Sequence, residues 1–152
     1  MTDINDTLPN VTVADSAGNA VNLAALKGPL VLYFYPKADT PGCTNEAKDF
    51  TALSADFAAL NCPVYGMSKD KPTKLAKFAA KYELNVTLLS DEASDATEKM
   101  GAWVEKSMYG KSYMGIDRST YLVGKDGKVA QVWRKVKVKD HAAEVLAAAK
   151  SL

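Results

Sequence analysis

The chain is poor in the residues that bind metals or staple small folds. It has two cysteines, Cys43 and Cys62, and a single histidine, His141. Two cysteines cannot build a disulfide framework, and one histidine is too few for most metal sites, so no metal is expected. A charge of one sign is missing as well. Nineteen Lys and Arg face eighteen Asp and Glu, for a net charge of +1. A nucleic-acid-binding surface needs a basic excess or stripe, so nucleic acid is not an expected partner. Long apolar runs are absent: the longest, Leu30 to Tyr35, falls far short of the roughly 18 residues of a membrane span. The start, Met-Thr-Asp-Ile-Asn-Asp, is acidic and lacks the basic beginning and apolar core of a signal peptide. These absences predict a cytoplasmic protein that does not engage membranes, in a compartment where thiols stay reduced. The two cysteines are then either inert core residues, or one of them is reactive.

What is present is ordinary globular composition, 47% hydrophobic and 24% charged over 152 residues. That length suits one domain, 1–152, with a substantial core. There is no internal repeat, low-complexity tract or linker. Val11 and Val13 alternate with polar residues, Asp15 to Asn19 carries turn chemistry, and Val21 begins a return strand, which predicts a small hairpin. Leu30 to Tyr35 is apolar throughout, as in a central strand covered on both faces. Pro36 to Pro41 break it. A helix is predicted over about 42–60, with Phe50, Leu53, Phe57 and Leu60 on one side. Val64 to Met67 is the next strand. Asp70 is predicted to cap a helix with Pro72 in its first turn and a stripe of Leu75, Phe78, Ala79 and Tyr82. A short strand, 87–89, and a short helix, 93–100, follow, the latter capped by Ser90-Asp91. Residues 104–117 lack periodicity and are expected to form a loop. Gly124 to Gly127 predicts a hairpin between strands 119–123 and 129–136, and an Ala-rich helix spans 140–152. The order is hairpin, βαβαβα, hairpin, helix. It predicts an α/β, thioredoxin-like fold: a mixed central sheet with helices on both faces and an N-terminal β-hairpin.

Cys43 falls where the central strand feeds through a proline-bounded loop into a helix start. Ligand sites in open α/β sheets gather beyond the carboxyl ends of the strands. A first helical turn offers unpaired N–H groups and partial positive charge, which favour a thiolate, the nucleophilic form. That end is worth about 0.3–2 kcal/mol, too little by itself for strong activation, so a cation from elsewhere in the chain is required. Thr40 offers a hydroxyl, and Gly42 permits close backbone approach. The competing reading is that Cys43 is a buried small hydrophobe at a βα junction.

The segment Tyr33-Phe34-Tyr35-Pro36-Lys37-Ala38-Asp39-Thr40-Pro41-Gly42-Cys43-Thr44-Asn45-Glu46 closely resembles the active-site segment of peroxiredoxins. It is most similar to the bacterioferritin comigratory protein (PrxQ) subfamily, through Pro-x-x-x-Thr-x-x-Cys and Pro-Gly-Cys-Thr-x-Glu. Gly115 to Val123 resembles the family's arginine-bearing strand and Trp133 to Val138 its C-terminal part, so the similarity covers nearly the whole chain. The resemblance implies a thiol-dependent peroxidase of antioxidant defence that needs no cofactor. Cys43 would be the peroxidatic cysteine, Thr40 and Arg118 would complete the site, and Pro36 would shield it. Arg118 would be the missing cation, with Arg134 as a competitor that reads as a surface residue. Glu46 would have an orienting role.

Many PrxQ-like proteins carry a resolving cysteine. Two common positions for it are here Lys48 and, in the following helix, about Ala79. Cys62 is the remaining internal candidate, at the amino end of its strand, whereas Cys43 is at the carboxyl end of the sheet. A strand of four or five residues separates these ends by roughly 15 Å, and a disulfide needs Cα atoms within about 7 Å. The expected cycle therefore uses one cysteine. Hydrogen peroxide or an organic hydroperoxide oxidises it, and an external thiol (thioredoxin, glutaredoxin or glutathione) reduces the sulfenic acid. A monomer is expected. A thiol–disulfide oxidoreductase would need Cys at position 46, which is Glu; a redox sensor using Cys43 oxidation as a signal is the other alternative. His141 is expected to face solvent or assist a cap. Trp103, Met108, Tyr109, Met114 and Trp133 are expected in the core, with an apolar entrance for organic hydroperoxides as the alternative.

Overall fold

The apolar run becomes the middle of the molecule. In the computed structural model, which describes residues 1–152, Leu30–Phe34 (β3) is buried at every position. It pairs in parallel with Val64–Ser68 (β4), which pairs in parallel with Thr87–Ser90 (β5). On the other side β3 pairs antiparallel with Ser119–Val123 (β8), and β8 with Val129–Trp133 (β9). The predicted hairpin, Thr12–Asp15 (β1) and Ala20–Asn22 (β2), joins the far edge through an antiparallel β1–β5 pairing. The result is one seven-stranded mixed sheet in the order β2-β1-β5-β4-β3-β8-β9, in the predicted thioredoxin-like arrangement.

Alternation along β3 divides the core. Val31, Tyr33 and Tyr35 belong to one apolar cluster, and Leu30, Leu32 and Phe34 to the other. The first face is covered by Pro41–Ala52 (α1), Ser54–Ala59 (α2), Pro72–Tyr82 (α3) and His141–Lys150 (α5), through Phe50, Phe57, Phe78 and Val145. The second has only the short Ala96–Lys99 helix (α4), aided by Leu8, Val11 and a 3-10 turn at Leu23–Ala25. Helices cover both faces, unequally.

Several boundaries differ from expectation. The helix predicted over 42–60 is interrupted at Leu53 (φ −99°, ψ 9°), where the chain turns so that Phe57 packs on Phe50 at 6.0 Å between ring centroids. Lys71, not Asp70, occupies the cap position of α3, because the Asp70 carboxylate is engaged by the backbone N–H of Ala38 (2.7 Å) and the Ser68 hydroxyl (2.8 Å). Asp91 does receive the first N–H groups of α4, from Ala96 and Thr97, although that helix is shorter than predicted.

Residues 104–117 are not a loop. Trp103–Met108 (β6) and Lys111–Ile116 (β7) form a separate two-stranded hairpin. Both turn residues, Tyr109 (φ 53°) and Gly110 (φ 77°), are left-handed, as a two-residue hairpin turn requires. The hairpin's outer half is exposed on both faces, so its sequence shows no alternation. Met108, Tyr109 and Met114 are accordingly solvent-exposed rather than core residues, while Trp103 and Trp133 are half-buried. Strand β9 ends at Trp133, three residues early, because Lys135 turns left-handed (φ 49°) and Val136 donates its N–H to Arg118.

His141 is also placed differently from expectation. It is buried, its Nε2 lies 2.7 Å from the Thr120 hydroxyl, and its ring meets Phe50 and Trp133 edge-on. Burial pushes its pKa below the ordinary 6.5, opposed by Glu144 and assisted by Arg118. A depressed histidine takes up its proton more readily in the unfolded chain, so the stability it contributes is complete above pH 6.5 and lost as pH falls through its folded value. We expect the melting temperature to drop between pH 7.5 and 5.5, and the drop to shrink in His141→Gln. Equal drops in the two proteins, by calorimetry, would contradict this assignment.

Candidate active site

The register of β3 against β8 makes the site. Phe34 at the carboxyl end of β3 lies opposite Ser119, the first residue of β8. Arg118 therefore arrives beside the point where the chain leaves the sheet for the loop to α1. Cys43 sits in the first turn of that helix, 2% exposed. The Arg118 guanidinium closes the gap: Nη2 donates to the Cys43 Sγ at 3.4 Å. Residues 75 positions apart thus meet. Gly42 leaves the guanidinium room, since a Cβ there would lie 3.2 Å from Nη2, tighter than an ordinary contact.

The other end of the guanidinium is equally committed. Nη1 donates to Glu46 Oε1 at 2.7 Å, and Glu46, one helical turn beyond Cys43, is 1% exposed. Its second oxygen has no hydrogen-bond partner. Burial pushes the Glu46 carboxyl up, Arg118 pulls it part of the way back, and the balance leaves it at about 7. For Arg118 burial works against the charge, but Glu46 and Cys43 outweigh it and raise its pKa. The pair is a charged arginine holding a carboxyl that is only partly ionised at neutral pH. Residue types alone do not reveal that Arg118 touches both side chains. The i, i+3 spacing of Cys43 and Glu46 was the available signal.

The loop before the helix is fastened at several points. Ala38 is held by Asp70. Asp39, left-handed at φ 62°, accepts from the Tyr82 hydroxyl at 2.5 Å and Lys81 Nζ at 2.9 Å. Thr40 is the N-cap residue, and its carbonyl accepts from Thr44 N–H at 2.8 Å. Its hydroxyl donates to the Lys37 carbonyl at 2.8 Å, so its proton is used within the loop and its lone pairs are left to accept. Pro36 is exposed on the same loop. Beneath it Tyr33 and Tyr35 are fully buried, and burial pushes both phenols upward, so both stay neutral. A Cβ on Gly66 would lie 2.7 Å from the Tyr33 ring, which explains a glycine in the middle of β4.

Cys62 and Arg134 lie elsewhere. Cys62 is buried just before β4, at the amino end of the parallel strands, and burial pushes its thiol up to about 11. It lines clefts of about 400 and 550 Å³ that do not include Cys43. Arg134 is half-buried and donates to the Tyr121 hydroxyl and the Thr2 carbonyl. It ties down the N-terminal segment instead of facing solvent or the sulfur.

Two substitutions test the bridge. Glu46→Gln keeps the shape but removes the charge that holds Arg118, and a charged hydrogen bond is worth about 1.5–3 kcal/mol. Oxidation of the Cys43 thiol by hydrogen peroxide should slow by roughly tenfold or more. The parent's rate should also gain a component as pH rises through about 7 and Glu46 ionises, and the Gln variant should lack it. Gly42→Ala should displace the guanidinium and slow oxidation without unfolding the protein. Single-turnover rates measured from pH 5.5 to 8.5 decide both.

Residues 4–132 match the AhpC/TSA family. The chain is 43% identical over 151 residues to the peroxiredoxin Bcp of Bacillus subtilis, an alignment covering 99% of this chain and 96% of the relative. It is 44% identical over 137 residues to the peroxiredoxin Bcp of Escherichia coli K12, covering 90% and 88%. The fold superposes with a TM-score of 0.90 on the bacterioferritin comigratory protein of Xanthomonas campestris, at 39% identity and 99% and 97% coverage. That protein was captured in intermediate and ligand complexes bearing on its alkyl peroxide reduction activity. The peroxidoxin BcpB of Mycobacterium tuberculosis superposes at 0.86, with 33% identity and coverage of 100% and 99%.

Proposed function

The chain belongs to the AhpC/TSA family and is a peroxiredoxin, a thiol-dependent peroxidase, and on that premise we propose that Cys43 is its attacking residue in a one-cysteine cycle. The observation that carries this is the 3.4 Å contact between the Arg118 guanidinium and the Cys43 sulfur at a helix start. A fixed cation and unpaired N–H groups converge on one sulfur and favour its thiolate.

The thiolate attacks the nearer oxygen of a hydroperoxide in line with the O–O bond. The S–O bond forms, the O–O bond breaks, and the departing oxygen takes the electron pair and a proton to leave as water or an alcohol. Arg118 and the backbone N–H groups at the start of α1 gain strength as charge moves onto the oxygens, while Thr40 accepts from the peroxide O–H. Pro36 shields the sulfur from water. Cys43 is left as a sulfenic acid. An external thiolate attacks that sulfur and releases water as a mixed disulfide forms. A second thiol then frees Cys43 and leaves the reductant as a disulfide. Thioredoxin, glutaredoxin or glutathione would fill that role. Hydrogen peroxide and organic hydroperoxides are the substrates we assign, the latter supported by the alkyl peroxide activity of the Xanthomonas relative.

Cys62 fits no step, because its raised thiol is neutral and lies at the other end of the sheet. No helix is long and apolar enough to cross a membrane, and we assign the protein to the cytoplasm, acting as a monomer in peroxide defence. Cys43→Ser should abolish peroxide consumption, whereas Cys62→Ser should sustain thioredoxin-dependent turnover at the parent rate. Mass spectrometry after one equivalent of peroxide should find a trappable sulfenic acid on Cys43 in both the parent and Cys62→Ser. Loss of turnover in Cys62→Ser with that first oxidation intact would sink the one-cysteine cycle.

A further inference from the structure

The segment that follows β9 carries a second electrostatic feature beside the site. Residues 134–139 run Arg-Lys-Val-Lys-Val-Lys. Arg134 turns inward to Tyr121 and Thr2, and Val136 and Val138 are half-buried. Lys135, Lys137 and Lys139 are exposed, and none has a carboxylate within salt-bridge distance. Unpaired lysines are common on surfaces, and their placement is the informative part. The strap is fixed to the two residues at the mouth of the site: Lys135 N–H donates to the Asp117 carboxylate at 3.2 Å, and Val136 N–H to the Arg118 carbonyl at 2.9 Å. Two residues in the left-handed region, Lys135 and Asp140, bound it, a conformation that side-chain-bearing residues adopt at a cost. The strap's backbone is thus tied directly to the arginine whose guanidinium touches the Cys43 sulfur, and the strap carries three exposed ammonium groups. Asp140 and Glu144 share the adjoining cleft of about 520 Å³, but neither pairs with a strap lysine.

We propose that Lys135, Lys137 and Lys139 form the docking ladder for a protein reductant whose thiol is set in an acidic surface. The inference rests on the external-thiol cycle above and specifies the chemistry of its partner. With its bends the ladder spans less than the roughly 13 Å of an extended strand, and a standard protein interface covers about 800 Å² per partner. One acidic face can therefore cover the strap while its thiol addresses the sulfenic acid. Cys43 is nearly inaccessible in the folded protein, so a productive encounter must be held in register while the sulfur is reached. Complementary charge supplies that register and raises the association rate.

The test compares half-reactions in the parent, in Lys135→Gln/Lys137→Gln/Lys139→Gln and in the matching triple Arg variant. Peroxide-oxidised protein is mixed with an acidic thioredoxin, glutathione or dithiothreitol. The Gln variant should be reduced by thioredoxin about tenfold more slowly at low salt, with the gap closing as salt rises, and the Arg variant should match the parent. Reduction by dithiothreitol and oxidation by hydrogen peroxide should not change. Equal thioredoxin rates at low salt would overturn the proposal. So would a loss confined to glutathione, which would make the strap a small-anion site, or an equal loss in peroxide oxidation, which would make it a support for Arg118. Thioredoxin must dock whether or not Cys62 later takes part, so the Cys62→Ser result tests the cycle and this comparison tests the ladder.

Discussion

One guanidinium between a sulfur and a buried carboxyl governs this structure. Arg118 cannot deprotonate, so it brings a permanent charge to a place with little water. A lone cation there would be costly, and a lone Glu46 carboxylate more so. Each partner makes the other tolerable. The geometry follows from backbone placement, because β8 runs antiparallel to β3 and starts where β3 ends. A one-residue slip in that register would send Arg118 to the other face of the sheet.

The surrounding interactions keep the sulfur where that charge can act. Asp70, in the turn before α3, and the Lys81–Tyr82 pair at its far end hold consecutive residues of the loop, Ala38 and Asp39. Tyr33 and Phe50 stack at 4.8 Å beneath the helix, and Gly66 makes room for the Tyr33 ring. Packing therefore fixes where α1 begins, and the start of α1 fixes the sulfur. The hydroxyl of Thr40 is oriented by the same loop, its proton directed at the Lys37 carbonyl, which leaves it an acceptor toward anything bound above Cys43.

Legibility in the sequence followed the physics. Leu30 to Phe34 could be read because burial on both faces leaves no polar interruption. The need for a cation beside Cys43 could be read because a helix end supplies too little energy, and similarity to a known motif pointed to Arg118. The β6–β7 hairpin escaped because a strand pair exposed on both faces has no alternation, and its one signal was a glycine in a two-residue turn. His141 escaped because proximity to a helix cap outweighed the apolar stripe of α5 in reading it. Asp70 has the spacing of a cap before Pro72, whereas its carboxylate serves a loop more than thirty residues earlier. Contacts of that range leave no local trace.

The contrast between the two cysteines shows which property matters. Both lie in the same apolar cluster, at 2% and 1% exposure, so burial cannot distinguish them. Burial alone drives a thiol toward its neutral form, as it does for Cys62. Cys43 differs by having a helix start behind it and a guanidinium in contact. What separates the two is the local field, which the strand order supplies at the carboxyl end of the sheet. A second cysteine at the amino end gains neither donor nor cation, however close it lies within the core.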